Sequence, residues 1–443
     1  VYLISILKGL TVEKWYKLDN AAKLYPSVSN YNRSAVFRVS AVLYESVNPV
    51  ILQQALDHIS EKYAFLFVRI HRGFFWNYFD TNHKKLLVQS ELHYPCRDIN
   101  RVENSGFMLR VLYYNKRVSV EIFHALADGG GTLEFIKSLL YYYFTFLGHY
   151  IENDGSVIGA DGKAETEYSD DSFARYYDPL KKERKQKGFL EKQKNAYRIR
   201  GTVYPQGGTS VISGLVSASA LNTAAKKYNT TITGFLTALM IHSMFETHVK
   251  FDRSRAPVTI AVPVNLRKIF PSKTLRNFFS VINCPLHYDQ RLSFNDICDH
   301  VTKVLKDKIT KEYLQKQIYR TSKFTMHKVL RFAPLIVKKL FIQAGYSIMS
   351  ETKKTLTLSN LGVIRIPPQM YDYMSHLEVL SYCSVRSPAT CTISTLGDKM
   401  CISFTKTIEE NDCIAFFFKF LAQNEGLDVR VYSNEWGDNY EVH

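Results

Sequence analysis

The stretch Val118-Ser119-Val120-Glu121-Ile122-Phe123-His124-Ala125-Leu126-Ala127-Asp128-Gly129 decides how this chain is read. Its first part has the period of a strand, which puts His124 on the same face as Val118, Val120 and Ile122 and points the imidazole inward. Asp128 and glycines 129, 130 and 131 follow, and glycines permit positive φ and the close approach of a ligand or a second chain segment. A lone histidine in such a place is more often a core residue, with the aspartate capping the next helix. In that helix Thr132 can serve as the cap; Leu133, Ile136, Leu140, Tyr143, Phe144 and Leu147 share one face, and Gly148 ends it.

Working outward, residues 107–114 pair with 117–123 across Asn115-Lys116, so a hairpin leads directly into His124. Before it come an alternating strand over 34–44, a helix opened by Asn48-Pro49 and running to Ala64, and a turn at Gly73 within 69–79. The aromatics Phe74, Phe75, Trp76 and Tyr78 either shape an apolar acceptor pocket or belong to the core. From 151 to 208 the character changes, with Asn153-Asp154-Gly155 and the basic run Lys181-Lys182-Glu183-Arg184-Lys185-Gln186-Lys187. The second half restarts with a strand over 210–216, helices over 218–228 and 233–246, and a strand over 258–263. A basic helical region over 294–343, a strand ending at 356–360 and a hairpin across Leu396-Gly397-Asp398-Lys399 follow. A helix over 413–424 stops at Gly426 before a last strand over 427–432. A chain of 443 residues exceeds what one core usually serves. The expected division is an N-terminal lobe over 1–165, a charged connector over 166–208 and a C-terminal lobe over 209–443.

Composition narrows the function classes. With 46% hydrophobic and 14% aromatic residues the chain can bury large cores, which sets disorder aside. The net charge of +16 calls for something anionic: nucleic acid, a membrane surface or a phosphate-bearing cosubstrate. Nucleic acid is disfavoured, because no zinc-finger spacing or RNP-like aromatic motif accompanies the basic stretches. The seven cysteines are odd in number and widely spaced, which fits reduced thiols in a cytoplasmic protein and no metal site. The apolar run Val1–Leu7 is too short to span a bilayer and lacks a basic flank, so it is not expected to act as a signal peptide. No Gly-x-Ser-x-Gly, His-Glu-x-x-His or Walker-type segment is present.

His124-Ala125-Leu126-Ala127-Asp128-Gly129 after an alternating strand resembles the His-x-x-x-Asp-Gly signature of the acyltransferase superfamily. That superfamily includes chloramphenicol acetyltransferase, alcohol acetyltransferases and the condensation domains of nonribosomal peptide synthesis. Further matches follow in the family's order: Val262-Pro263-Val264-Asn265-Leu266-Arg267 with Arg276-Asn277-Phe278-Phe279, then Leu358-Ser359-Asn360-Leu361-Gly362, and the N-terminal strand and helix leading to Phe65-Leu66-Phe67-Val68-Arg69. Phe123 stands where condensation domains usually carry a second histidine, so the resemblance is nearest to a freestanding alcohol acetyltransferase.

The resemblance implies an α/β fold of two chloramphenicol acetyltransferase-like lobes with a tunnel between them and a substrate entering from each side. It implies that His124 is the general base, that Asp128 turns away to pair with Arg267, and that Gly129 leaves room beside the imidazole. It places Ser359 and Asn360 at the crossing between lobes, with Ser359 offering a hydroxyl to an oxyanion. No permanently bound cofactor is implied; acyl-CoA is the expected co-substrate, and the acceptor is a small or lipid-like alcohol or amine. An acidic carrier protein bearing the thioester, and contact with an anionic membrane surface, are further expectations. The rival readings are a non-catalytic member of the fold that binds a ligand or carrier protein, and a condensation-type enzyme.

Overall fold

The computed structural model describes residues 15–30, 33–158, 166–177, 193–205, 208–326, 333–384 and 386–434. The N-terminal run Val1–Leu7 and the basic run 181–187 lie outside the described residues. The fold is a mixed α/β arrangement with sheets of seven, five and three strands.

The five-stranded sheet carries the decisive hairpin. Leu109–Tyr114 and Arg117–Phe123 pair antiparallel across Asn115, whose φ of 46° makes the tight turn. Val36–Leu43 lies on the other side of Arg117–Phe123, with Val39 opposite Val120 and Arg38 opposite Glu121. Both faces of Val36–Leu43 are buried, so its alternation separates two kinds of interior rather than inside from outside. Phe37, Val39, Ala41 and Leu43 enter the apolar core of the N-terminal half. On the other face Ser40 bonds Ser119 and Arg38 bonds Glu121. The helix Pro49–Ser60 is capped by the Asn48 side chain, which accepts from the amides of Val50 and Ile51, as the Asn-Pro pair suggests.

The seven-stranded sheet is built wholly from the second half, in the order 279–286, 258–265, 356–364, 389–396, 399–406, 210–217 and 430–433. The expected hairpin at Gly397 is present, with that glycine at φ 60°. Two strands of the second half are absent from the sequence expectation. Phe279–Leu286 pairs with Val258–Asn265 along its whole length. Met374–Ser381 falls in the stretch 209–443 yet pairs with Val36–Leu43, as the outer strand of the five-stranded sheet. The expected basic helical region over 294–343 is divided into Phe294–Lys308, Lys311–Met326 and Leu335–Met349, the last opened by Pro334.

Met374–Ser381 also joins the two sheets. Thr390 and Ser394, at alternate positions of Ala389–Leu396, donate their hydroxyls to the carbonyls of Ser381 (3.2 Å) and Leu377 (2.6 Å), and Thr392 between them donates to Val379. A row of Ser and Thr with period two thus satisfies carbonyls at a sheet crossing that would otherwise bury them unpaired. Nearby, the Tyr432 hydroxyl donates to Glu378 (2.5 Å) and lies 3.1 Å from Nε2 of His376. All seven cysteines are free. Among the described residues no helix is long and apolar enough to cross a membrane.

Candidate functional site

A cavity of about 1690 Å3 lies between the two halves, and both supply its walls. His124, Tyr25 and Phe37 line it from one side; Asn265, Phe279, Ser359 and Thr392 line it from the other.

His124 follows the last residue of its strand, and its amide donates to Ala35 O (2.8 Å), so the backbone is still held as in the ladder. The imidazole is packed by aromatic rings: Tyr25 is stacked on it at 4.6 Å between centroids, and Phe37 and Phe279 lie at 4.8 and 5.6 Å. Burial among these groups lowers its pKa below the ordinary 6.5 and so favours the neutral ring near pH 7, against the opposing pull of its own backbone carbonyl and of Asp128. Its Nδ1 is 3.0 Å from Oδ1 of Asn277. The orientation of that amide is set from behind, because Asn277 Nδ2 donates to Oδ2 of Asp19 (3.2 Å). The oxygen therefore faces the imidazole, and in the tautomer that donates to it from Nδ1 the lone pair lies on Nε2. Asp19 is fully buried, and burial pushes its carboxyl up to about 6 although Arg276, 3.6 Å away, acts against the rise. Asp19 and Asn277 are the neighbours of the imidazole that the sequence does not bring forward. Asn277 stands inside the quoted Arg276–Phe279 segment, whereas nothing around Asp19 signals it.

The Asp128 carboxylate is engaged by neighbours other than the imidazole and serves two purposes at once. Its Oδ1 accepts from the amide of Gly131 (3.1 Å), which makes Asp128 the N-cap of the helix Gly129–Phe146; the cap expected at Thr132 is displaced four residues towards the N-terminus. The same carboxylate receives a two-pronged bond from Arg267, at 2.8 and 3.1 Å, and the amide of Phe278 at 2.8 Å. Arg267 is brought there by local structure. The strand Val258–Asn265 ends in a single turn, Leu266–Lys268, capped by Asn265, whose Oδ1 accepts from the amide of Arg267. The guanidinium is completed by the carbonyls of Thr274 (2.8 Å) and Arg276.

None of the three glycines has a positive φ, and two of them, Gly129 and Gly131, act through space. A Cβ on Gly131 would fall 1.8 Å from the carbonyl oxygen of Leu275, a backbone atom that cannot give way. A Cβ on Gly129 would fall 2.7 Å from the end of the Leu361 side chain, so the room left by Gly129 receives a residue of the Leu358–Gly362 segment. Both Ser359 and Asn360 line the cavity. Asn360 has its amide engaged: Oδ1 accepts from Gly362 N (2.8 Å), at a bulge between Asn360 and Val363, and Nδ2 donates to Thr233 (3.0 Å). Of the aromatics 74–78, none lines the cavity, and Phe74 and Phe75 are exposed. His376, Glu378 and Cys401 place donor atoms within 4.8 Å of one another, but Tyr432 already bonds the first two, so these donors satisfy each other as a bridge between sheets.

No protein-family model and no curated protein matches the chain. Solved structures match it over nearly all its length. Polyketide synthase associated protein 5 from Mycobacterium tuberculosis is 14% identical, with 95% of this chain and 98% of that one covered and a TM-score of 0.60. The first condensation domain of the CDA synthetase is 12% identical, covering 93% and 96%, with a TM-score of 0.56. The trichothecene 15-O-acetyltransferase TRI3 from Fusarium sporotrichioides is 9% identical, covering 92% and 95%, with a TM-score of 0.57. The chain shares the fold of the condensation domains and of these acetyltransferases, the chloramphenicol acetyltransferase-like fold that the sequence resemblance implies.

Proposed function

We propose that the protein is an acyltransferase that moves an acyl group from a thioester, acyl-CoA being the preferred donor, to an alcohol or amine, with Nε2 of His124 as general base. The observation that carries this reading is a buried imidazole whose Nδ1 faces Asn277, itself held by Asp19, on the wall of a cavity that both halves build. A merely structural histidine needs no such cavity.

An acceptor hydroxyl or amine in the cavity gives its proton to Nε2 as its heteroatom attacks the thioester carbonyl carbon. The carbonyl oxygen becomes an oxyanion, for which the Ser359 hydroxyl is the candidate donor on the cavity wall. Collapse expels the thiolate, which takes the proton back from the imidazolium and leaves as the thiol. Such base catalysis contributes roughly 10²–10⁴ in rate. Asp128 and Arg267 hold the loop that carries the imidazole, and Gly129 lets Leu361 close against it.

Cations at Lys194, Lys268, Lys306, Arg320, Lys353 and Lys354 line the same cavity and suit a phosphate-bearing donor. TRI101 of F. graminearum, another protein of this fold, has been solved with coenzyme A. An acidic carrier protein is the second source of a thioester, supported by the likeness to a condensation domain. Free thiols throughout agree with a cytoplasmic setting. The test is release of free coenzyme A, read by mass spectrometry, from acetyl-CoA and longer acyl-CoAs with pooled alcohols and amines. Release that requires both the acceptor and His124 supports the reading. Silence with acyl-CoA and with carrier-bound thioesters alike would move the protein to the non-catalytic binders of this fold.

A further inference from the structure

The helix Leu335–Met349 breaks the usual rule for a surface helix. Its inward side is ordinary: Leu335, Lys338 and Ile342 are buried, and Tyr346 lines the cavity. Its outward arc is apolar, with Ile336 65%, Leu340 67% and Phe341 65% exposed and Val337 and Ala344 beside them. Such an arc should be polar if water were its permanent neighbour.

The patch extends onto the hairpin formed by Val68–Arg72 and Asn77–Thr81. The amide of Leu335 donates to Phe74 O (2.8 Å), the Lys338 ammonium donates to Phe75 O (2.9 Å) and lies 3.9 Å from the Trp76 ring centroid. Phe74 is 72% exposed at the tip. The exposed charges near these rings are positive, and Asp80 farther along the hairpin is buried and paired with Arg69. Lys339 on the helix, Arg72 at the hairpin and Lys17 on the neighbouring strand are exposed, and neither residues 335–349 nor residues 71–78 include an acidic side chain.

We propose that this face docks on an anionic lipid surface, with Phe74, Ile336, Leu340 and Phe341 entering the headgroup boundary and Lys17, Arg72 and Lys339 meeting lipid phosphates. Apolar and aromatic side chains on one side with lysine and arginine at the edge are what an interfacial helix requires, and the exposed cations are complementary to lipid phosphates. Because Tyr346 and Ser350, at the end of the same helix, line the cavity, docking sets its wall against the bilayer. On the acyltransferase reading, one substrate then reaches His124 from the membrane as an amphiphile.

The test is co-sedimentation of the full chain with vesicles of phosphatidylcholine alone and of phosphatidylcholine and phosphatidylglycerol in equal parts. The parent should pellet with the anionic vesicles and largely remain in solution with the neutral ones. Leu340→Ser with Phe341→Ser should lower the bound-to-free ratio by about tenfold or more, and Lys339→Glu by about fivefold. A parent that ignores anionic vesicles overturns the proposal, as does a double variant that binds like the parent. A concentration-dependent dimer that the double variant abolishes, with no vesicle binding by the parent, would assign the face to a second copy and also overturn it. His124→Ala should bind vesicles like the parent, so failure to dock and failure to transfer an acyl group are read separately.

Discussion

Two of the places where this molecule buries charge differ in what lies beside it. On the face of the five-stranded sheet away from the apolar core, Arg38 is held by Glu121 (2.8 Å) and Glu91 (2.6 Å), Arg110 reaches Glu121, and Arg117 reaches Glu91 (2.9 Å). Burial would raise the Glu121 carboxyl, but Arg38 and Arg110 hold it below the ordinary carboxylate value. The second region is the Asp128–Arg267 pair beside His124. Both sets are paired as buried charges must be, so burial of charge does not mark function. The second set differs in clamping a loop that carries a neutral imidazole into a large cavity.

The largest effect expected on activity comes from His124→Ala, which should lower turnover by about 10²–10⁴ while leaving the thermal midpoint within a few degrees of the parent. Full transfer activity in that variant would remove the basis of the proposed mechanism. Next come the two charge clusters. Glu121→Ala and Arg267→Ala each strand a buried partner and should each cost about 3–5 kcal/mol in denaturant unfolding. They should part company in kinetics: kcat per folded molecule should survive Glu121→Ala and fall with Arg267→Ala. Equal losses of kcat would mean that the two regions are not functionally distinct.

Asn277→Ala should lower kcat about tenfold, because the ring loses the acceptor that selects its tautomer. Asn277→Asp keeps an acceptor and should recover part of the loss; a purely structural role would not separate the two variants. The smallest effect is on pH. Because burial lowers the His124 pKa, the protonated ring forms only below the ordinary 6.5, so kcat should be level through neutrality with its acid limb below that value. An acid limb centred above pH 6.5 would contradict the burial of the imidazole.

Much of the local structure is legible in the sequence, for physical reasons that can be named. The hairpin into His124 is visible because its register is set by neighbours in the chain and a two-residue turn at Asn115. Asn48-Pro49 announces its helix because capping is local chemistry. The role of Thr132 is misread because a carboxylate four residues earlier reaches the Gly131 amide and starts the helix sooner. Phe279–Leu286 escapes because its exposed side carries apolar Val281 and Pro285 opposite buried Ile282 and Cys284, and Met374–Ser381 because it is buried almost throughout; their neighbours in the sheets decide them.

The sequence by itself determined the strand-borne histidine, the glycine-bordered loop and, by resemblance, the α/β fold and the partnership of Asp128 with Arg267. Those are properties of short segments or of motifs kept in order. Tertiary packing was needed to bring Asn277, 153 residues from His124, to within 3.0 Å of Nδ1, to set Asp19 behind Asn277 from 258 residues away, and to place Leu361 at Gly129. A hydrogen bond acts over about 3 Å whatever the separation along the chain, and no local periodicity encodes which distant side chain will arrive within that distance.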